Sequence, residues 1–400
     1  MKVSLLTGGG DKPYALGLVK ALSSKNITVD FIGSDELSTV EVLADERVKF
    51  LNLRGGMNPA VPVLHKVARV VRYYLRLLYY AAKTDSPLFH ILWANKFLLL
   101  DRIVLNAYYK LLGKKLVFTA HNINERERDG GDGLLNQLSL KALYALVDHI
   151  FVHTLKMKSQ LIDEFKIREN KISVIPFGIN NTLPKSDLTQ SEARYKLQLG
   201  KHEKVVLFFG NLASYKGLEY AIRALSRLTR QDGAFHLVIA GQVKNCQAYW
   251  GEIEHLIEEL GVGQNIVKRI EYIPDEEVEV FFKAADVLIL PYRFIYQSGV
   301  LFLSYSFGLP VIASDVGSLR EDIVEGQTGM VCRPEDADDL ADKIHAYFHS
   351  DLFDNLQQAR SEIMEYGNRK YSWEEVGHIT CAVYEQLLSK AGLNQAGQEL

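Results

Sequence analysis

The sequence predicts an α/β protein built as two doubly wound halves. Short apolar runs alternate with helical patterns, which is how parallel strands joined by right-handed crossovers read in sequence. The alternation stops at Pro176-Phe-Gly178, stays polar through Thr182 to Gln198, and then restarts. Each half is about 180 residues, an ordinary domain length. Sheets of this kind bind ligands at the carboxyl ends of their strands, so two of them facing each other would hold ligand in the cleft between.

The first half, residues 1–182, opens on the strand Val3 to Leu6, followed by the turn Gly8-Gly9-Gly10 and a helix from Tyr14 to Leu22. Strands follow at Thr28 to Ile32 and Val48 to Leu51. A long helix runs from about Val61 to Ala82, then come strands at Leu88 to Trp93 and Lys115 to Thr119. Helix returns from Leu134 to Val147, and Ile150 to His153, Lys156 to Glu164 and Ile172 to Ile175 complete the half as strand, helix and strand.

The second half, residues 183–371, begins with the very apolar strand Val205 to Phe209. Gly210 to Gly217 and a helix to about Leu228 come next, then a strand from His236 to Ala240, ended by Gly241. A helix covers Tyr249 to Leu260, Ile270 to Ile273 reads as a strand, and Asp275 to Ala285 as a helix. After the strand Val287 to Pro291, residues 298 to 313 form a helix–strand unit. Gly329 to Cys332 is a strand and Asp336 to Phe348 a helix. The last apolar helix, Trp373 to Leu388, has Ser372 as its N-cap.

Composition narrows the function. With 48% hydrophobic and 24% charged residues the chain can fill an ordinary globular core. A net charge of −3 argues against a nucleic-acid partner. No run of roughly 18 apolar residues marks a transmembrane helix. The start carries no secretory pattern, and Cys246, Cys332 and Cys381 are too scattered for a disulfide framework or a zinc site. A cytoplasmic protein is the expectation.

The most informative segment is Tyr292 to Glu321. A small polar turn, Gln297-Ser298-Gly299, opens a short apolar helix that ends at Gly308 and runs into a buried strand, Pro310 to Ala313. Such a turn presents free backbone N–H groups and the positive end of the helix dipole, which together hold a phosphate. Gly299 lets the backbone approach closely. Ser298 would also satisfy an ordinary N-cap, and both roles can hold together. Gly8-Gly9-Gly10-Asp11, with Asp35 near the end of the second strand, superficially matches a dinucleotide fingerprint, but Pro13 stands where its third glycine belongs.

Taken together, several blocks resemble the retaining glycosyltransferases of family 4, which have the GT-B fold. They are Phe209-Gly-Asn-Leu-Ala-Ser-Tyr-Lys-Gly217, Leu237-Val-Ile-Ala-Gly241, Ala285-Asp-Val-Leu-Ile-Leu-Pro-Tyr292, Gln297-Ser-Gly-Val300, Phe307-Gly-Leu-Pro-Val-Ile-Ala313 and Glu325-Gly-Gln-Thr-Gly-Met-Val331. Each is weak alone; their order and spacing are specific. The Gln-Ser-Gly form is similar to a subgroup common in bacterial surface-polysaccharide synthesis. The resemblance implies two Rossmann-like domains facing across a cleft, an N-terminal acceptor domain and a C-terminal nucleotide-sugar domain, with the last helix (372–390) crossing back onto the first.

The resemblance also implies roles. Lys216 and the turn Gln297, Ser298, Gly299 and Val300 would grip the donor diphosphate, a compact ammonium being suited to phosphate. His121 would touch the donor sugar near the reaction centre, with Asn122 beside it. The loop Gly9, Gly10 and Asp11 would face the acceptor and the donor phosphates. The sequence departs from the family twice. Ile295 and Leu303 stand where two glutamates are usual, and Asn211 and Ala213 where an arginine is usual. Arg293 is the candidate replacement cation. A solvated lysine, a core histidine and a loop arginine are the structural alternatives for Lys216, His121 and Arg293. Glu125, Arg126, Glu127 and Arg128 read as loop charges.

The implied reaction moves a sugar from a nucleotide-sugar donor to a hydroxyl of a carbohydrate or lipid-linked acceptor, with retention. Electrostatic stabilisation of the departing diphosphate should be the largest protein contribution. Without a glycosidase-like carboxylate pair at the turn, the donor phosphate itself is expected to take the acceptor proton. No cofactor and no metal are expected, since no Asp-x-Asp motif or His cluster stands out. The helix His65 to Lys83 places Arg69, Arg72 and Arg76 on one face among apolar and aromatic neighbours. It suits either an anionic membrane surface or an ordinary amphipathic surface helix. The rival readings are an inactive sugar-nucleotide-binding subunit, a nucleotide-sugar epimerase on the same fold, and a peripheral membrane scaffold.

Overall fold

The computed structural model describes residues 1–56, 62–95, 97–124, 132–181, 183–243 and 246–396. Glu125, Arg126, Glu127 and Arg128 lie outside them, as do Thr182 and Val61, the expected domain end and helix start. The chain divides into two compact units, Met1–Gly178 with Tyr371–Leu400, and Ile179–Lys370.

The first unit carries seven parallel strands in the order β3-β2-β1-β4-β5-β6-β7. They are β1 (Lys2–Leu6), β2 (Thr28–Gly33), β3 (Val48–Asn52), β4 (Leu88–Ile91), β5 (Lys115–Thr119), β6 (His149–Val152) and β7 (Ile172–Val174). Near-continuous apolar strands are what a sheet covered on both faces requires. Val3, Leu5, Val29, Phe31, Leu88, Val117 and Phe151 are accordingly buried.

The C-terminal helix Trp373–Ala396 packs on the helix Lys12–Ser24 within this unit. Glycine makes the fit possible. A Cβ at Gly17 would lie 2.1 Å from the Trp373 ring, and one at Gly178 2.5 Å from it. Tyr384, on the same helix, is buried and bonds His90 Nδ1 at 2.5 Å. Ser372 caps the helix as expected, its Oγ accepting from Glu375 N at 3.1 Å.

The second unit carries six parallel strands in the order β10-β9-β8-β11-β12-β13. They are β8 (Lys204–Phe209), β9 (Phe235–Ala240), β10 (Ile266–Arg269), β11 (Val287–Leu290), β12 (Val311–Ser314) and β13 (Gly329–Cys332). The expected strand Ile270 to Ile273 is corrected here: the chain pairs through Ile266↔Leu237 to Arg269↔Ala240 instead. As an edge strand, β10 can turn Lys268 and Arg269 to solvent, so it lacks the unbroken apolar run that marks an inner strand.

Four further elements escape the apolar periodicity. A π-turn, Leu100–Val104, runs into the helix Leu105–Leu111 between β4 and β5. Residues Gln190–Lys196 form a helix closed by a Thr189/Glu192 capping box, where irregular chain was expected. The polar helix Leu356–Lys370 is anchored by half-buried Arg360, whose guanidinium donates to the carbonyls of Phe282 (3.4 Å), Ala285 (2.5 Å) and Phe307 (3.3 Å).

A buried ion pair ties the start of the second unit to its sheet. Arg194 and Asp286 are only 6% and 4% exposed, and Nη2 reaches both carboxylate oxygens, at 2.8 and 2.7 Å. The rest of the guanidinium donates to the carbonyls of Ala284 (3.0 Å), Lys201 (2.8 Å) and Glu203 (3.1 Å). Asp286 also accepts from Val205 N at 2.8 Å. Burial raises the Asp286 carboxyl above its ordinary range, against the opposing pull of Arg194.

Candidate functional site

In both sheets the strand order reverses beside the first strand, between β1 and β4 and between β8 and β11. The crevice beyond the carboxyl ends of such a strand pair is where open α/β sheets bind ligands. The loops after these four strands contain most of the expected site residues.

In the second unit, the loop after β8 turns at Gly210 (φ +101°) and ends at Gly217 (φ +65°), where the helix Leu218–Thr229 starts. Both have positive φ, which favours glycine, and at Gly217 the backbone leaves no room for a side chain. A Cβ at Gly217 would sit 2.1 Å from Pro291 O, and one at Gly210 would sit 2.9 Å from Lys216 Nζ and 3.5 Å from Val300 Cγ2. Lys216 is therefore held against the sheet, 6% exposed, with Nζ 5.5 Å from the centre of the Tyr292 ring. The structure brings Lys216, Tyr292 and the Gln297–Val300 turn together at one switch point.

The turn is rigid from behind. Gly317 (φ +59°) packs so closely that a Cβ would meet Ile295 O at 2.0 Å, and Ser318 donates to Tyr296 O through both N (3.1 Å) and Oγ (3.0 Å). Ser298 occupies the N-cap position of the helix Gly299–Ser306, but its side chain accepts none of that helix's amides. The first-turn N–H groups thus lack the Ser298 side-chain cap that was the alternative reading of the sequence. Gln297 is 9% exposed and its Oε1 has no partner among the described residues. Ile295 and Leu303 are buried at 8% and 6%, so both positions have become core.

Arg293, the candidate replacement cation, stands beside two carboxylates. Its Nε lies 3.1 Å from Glu335 and its Nη1 3.8 Å from Glu219. Glu335 also accepts from Tyr220 OH at 3.0 Å. The guanidinium is part-exposed and shares these two carboxylates, pairs that are weak in solvent. The sequence could not show this, because Glu219 and Glu335 lie far from Arg293 along the chain.

In the first unit the loop after β1 turns through Gly8 (φ +58°) and Gly9 (φ +77°). Asp11 caps the next helix, its carboxylate accepting from Tyr14 N at 2.9 Å. Gly10 lies flat on Trp93, since a Cβ there would be 1.9 Å from the indole. Trp93 in turn stacks on His121, with ring centres 4.1 Å apart and planes 6° from parallel. Tyr14 meets His121 edge-on at 4.5 Å. His121 is 8% exposed, its Nδ1 lies 3.0 Å from His153 Nε2, and its Nε2 has no partner among the described residues. Burial is the main reason that His121 is pushed well below the ordinary imidazole range, and it holds His153 down to about 4. Both rings are neutral at physiological pH. Asn122 follows His121 and is half-buried.

Three residues at this site carry no sequence signal. Trp93 and His153 surround His121, and Arg54 lies under Gly9, where a Cβ would be 2.0 Å from Nη1. Gly8, Tyr73, Trp93, Asn95 and Asp101 line a cavity of about 20 Å³ nearby, enough for one water. Trp93, His153 and Arg54 belong to no motif, and only the folded sheet collects them. Among the described residues, no group of three or more His, Cys, Asp or Glu could hold a metal ion, and no helix is long and apolar enough to cross a membrane. Burial pushes the Cys332 and Cys381 thiols up to about 12 and about 11.

Two family models match the chain in succession. Residues 8–183 match Glycosyltransferase Family 4, and residues 189–369 match Glycosyl transferases group 1. A D-inositol 3-phosphate glycosyltransferase from Corynebacterium aurimucosum is 24% identical over 86% of this chain and 83% of its own length. One from Corynebacterium glutamicum is 26% identical over 70% of this chain and 68% of its own. Among solved structures, a sucrose-phosphate synthase from Thermosynechococcus elongatus superposes with a TM-score of 0.74 at 20% identity, covering 98% of this chain and all (100%) of its own. HepE from Anabaena, solved with UDP, gives 0.73 at 17% identity over 96% of this chain and 100% of its own. The two matched domains, the parallel sheets and the glycine-bounded lysine loop agree: this chain belongs to the group 1 glycosyltransferases, family 4, and has the GT-B fold.

Proposed function

We propose that the protein is a retaining glycosyltransferase that moves a sugar, a hexose in the simplest case, from a nucleotide-sugar donor to an acceptor hydroxyl. The single observation that carries the reading is the convergence of Lys216 with the Gln297–Val300 turn at the β8/β11 switch point. Departure of the nucleotide leaves a diphosphate and an oxocarbenium-like sugar. A fixed ammonium and uncapped helix amides stabilise that diphosphate where charge develops. Solved structures of HepE contain UDP and UDP-glucose, which supports a uridine donor as the first to test. No carboxylate pair is needed if the departing phosphate accepts the acceptor's proton, and neither cofactor nor metal enters this scheme.

The test is release of nucleoside diphosphate from a panel of UDP-, GDP-, ADP- and TDP-sugars, with sugar and inositol phosphate acceptors, and NMR of the anomeric configuration in the product. Acceptor-dependent release with retained configuration is expected. Interconversion of the donor without acceptor would favour an epimerase, and donor binding without release an inactive subunit.

We place the acceptor in bacterial surface polysaccharide or glycolipid assembly, at the inner face of the membrane. The helix Val63–Lys83 supports this reading. Leu64, Val67, Val71, Leu75 and Tyr79, at helical spacing, are 52–82% exposed. Arg72, Arg76 and Lys83 lie exposed on the adjoining strip. An apolar stripe edged by cations matches an anionic interface, with each basic residue contributing about 1 kcal/mol. The protein should sediment with phosphatidylglycerol vesicles but not with phosphatidylcholine ones, and the double variant Leu64→Glu/Leu75→Glu should stay in solution. Equal behaviour towards both lipids would remove the membrane from the proposal.

A further inference from the structure

His121 is packed among aromatic rings, and its Nε2 has no hydrogen-bond partner among the described residues. The hydrogen-bond chain behind it fixes what that nitrogen can do. His153 Nδ1 lies 3.3 Å from the carbonyl oxygen of Ile175, with Pro176 as a second backbone acceptor. Carbonyl oxygens only accept, so Nδ1 of His153 carries a proton. A neutral imidazole has a single N–H, which leaves His153 Nε2 as a bare lone pair. That lone pair lies 3.0 Å from His121 Nδ1, so the proton between them belongs to His121. The opposite tautomer would set two lone pairs against each other in a buried, low-dielectric site. His121 Nε2 is then an acceptor.

Packing keeps the ring in this pose. Trp93 covers one face at 4.1 Å, Tyr14 abuts it edge-on at 4.5 Å, and Phe177 stands 6.0 Å away. Rotation would put a ring carbon against His153 and forfeit the bond.

We propose that His153 is a positioning residue, holding His121 in the Nδ1–H tautomer so that Nε2 accepts a hydrogen bond from a hydroxyl of the sugar ligand. The ligand class rests on the glycosyltransferase reading above, whereas the tautomer rests on the hydrogen-bond chain alone. A sugar hydroxyl is a donor that this atom can take, and an anionic group is not.

The test has two arms. In the first, ¹⁵N NMR of histidine-labelled, ligand-free protein reads the tautomer directly, with the His121 signal assigned by its loss in His121→Gln. A protonated Nδ1 and a bare Nε2 are expected; a protonated Nε2 overturns the proposal. In the second, His153→Leu removes the acceptor while His153→Gln restores one through its side-chain oxygen. His153→Leu should lose about 10–100-fold in kcat/KM, the loss seen when the outer partner of a functional histidine is removed, and His153→Gln should recover most of it. Equal losses in two folded variants would reduce His153 to a packing residue and overturn the proposal. If the wild type transfers no sugar from any donor, the function reading fails, and the NMR arm still decides the tautomer.

Discussion

Replacing Lys216 with alanine is expected to lower kcat by about 10²–10³-fold or more, the range for removing one preorganised charge-stabilising group. The diphosphate gains negative charge as the glycosidic bond breaks, so the ammonium does most of its work in the transition state. KM should therefore change much less than kcat. The fold should survive, because the neighbouring glycines and the Tyr292 ring keep their places when the 6%-exposed Lys216 side chain is shortened. Arginine should rescue poorly. The ammonium sits so close to Gly210 that an added Cβ there would be 2.9 Å from it, and a planar guanidinium is larger. Steady-state kinetics with a circular-dichroism melt checks both points. Turnover within threefold of wild type in a folded Lys216→Ala protein would remove the residue from the site.

The largest stability effect should come from Arg194. Removing one partner of a buried, hydrogen-bonded pair leaves an uncompensated charge, which costs about 3–5 kcal/mol. In Arg194→Met the Asp286 carboxylate would stay buried beside Val205 N, and the carbonyls of Lys201, Glu203 and Ala284 would each lose a donor. The urea midpoint of the second unit should fall accordingly. Pairing Arg194→Met with Asp286→Asn removes the stranded charge, so the double variant should be more stable than the single one. A loss below about 1 kcal/mol in Arg194→Met would mean that the site relaxes to admit water.

Much of the fold was legible because period and punctuation are local. Inner strands such as Val205 to Phe209 and Val287 to Leu290 are apolar throughout, and glycines mark the loops that follow them. The edge strand β10 was misplaced because Lys268 and Arg269 interrupt its apolar run, and the helix Leu356–Lys370 was missed because its surface is mostly polar. Propensity and pattern weaken where tertiary contacts carry an element. Ser298 shows the same limit on a smaller scale: its position at the helix start was readable, whereas the orientation of its hydroxyl was not.

By itself, the sequence determined the two doubly wound halves, the family, and the pairing of a glycine-bounded Lys216 loop with the Gln297–Val300 turn. These depend on backbone conformations that short motifs specify: left-handed glycines, helix starts and strand ends. The tertiary structure alone decided which charges are available and which protons sit where. It placed Arg293 beside Glu219 and Glu335, and it stacked Trp93 on His121 and set His153 behind that ring. The reason is physical. The electrostatic state of a side chain depends on neighbours within a few ångströms, and folding draws those neighbours from positions that no local pattern connects.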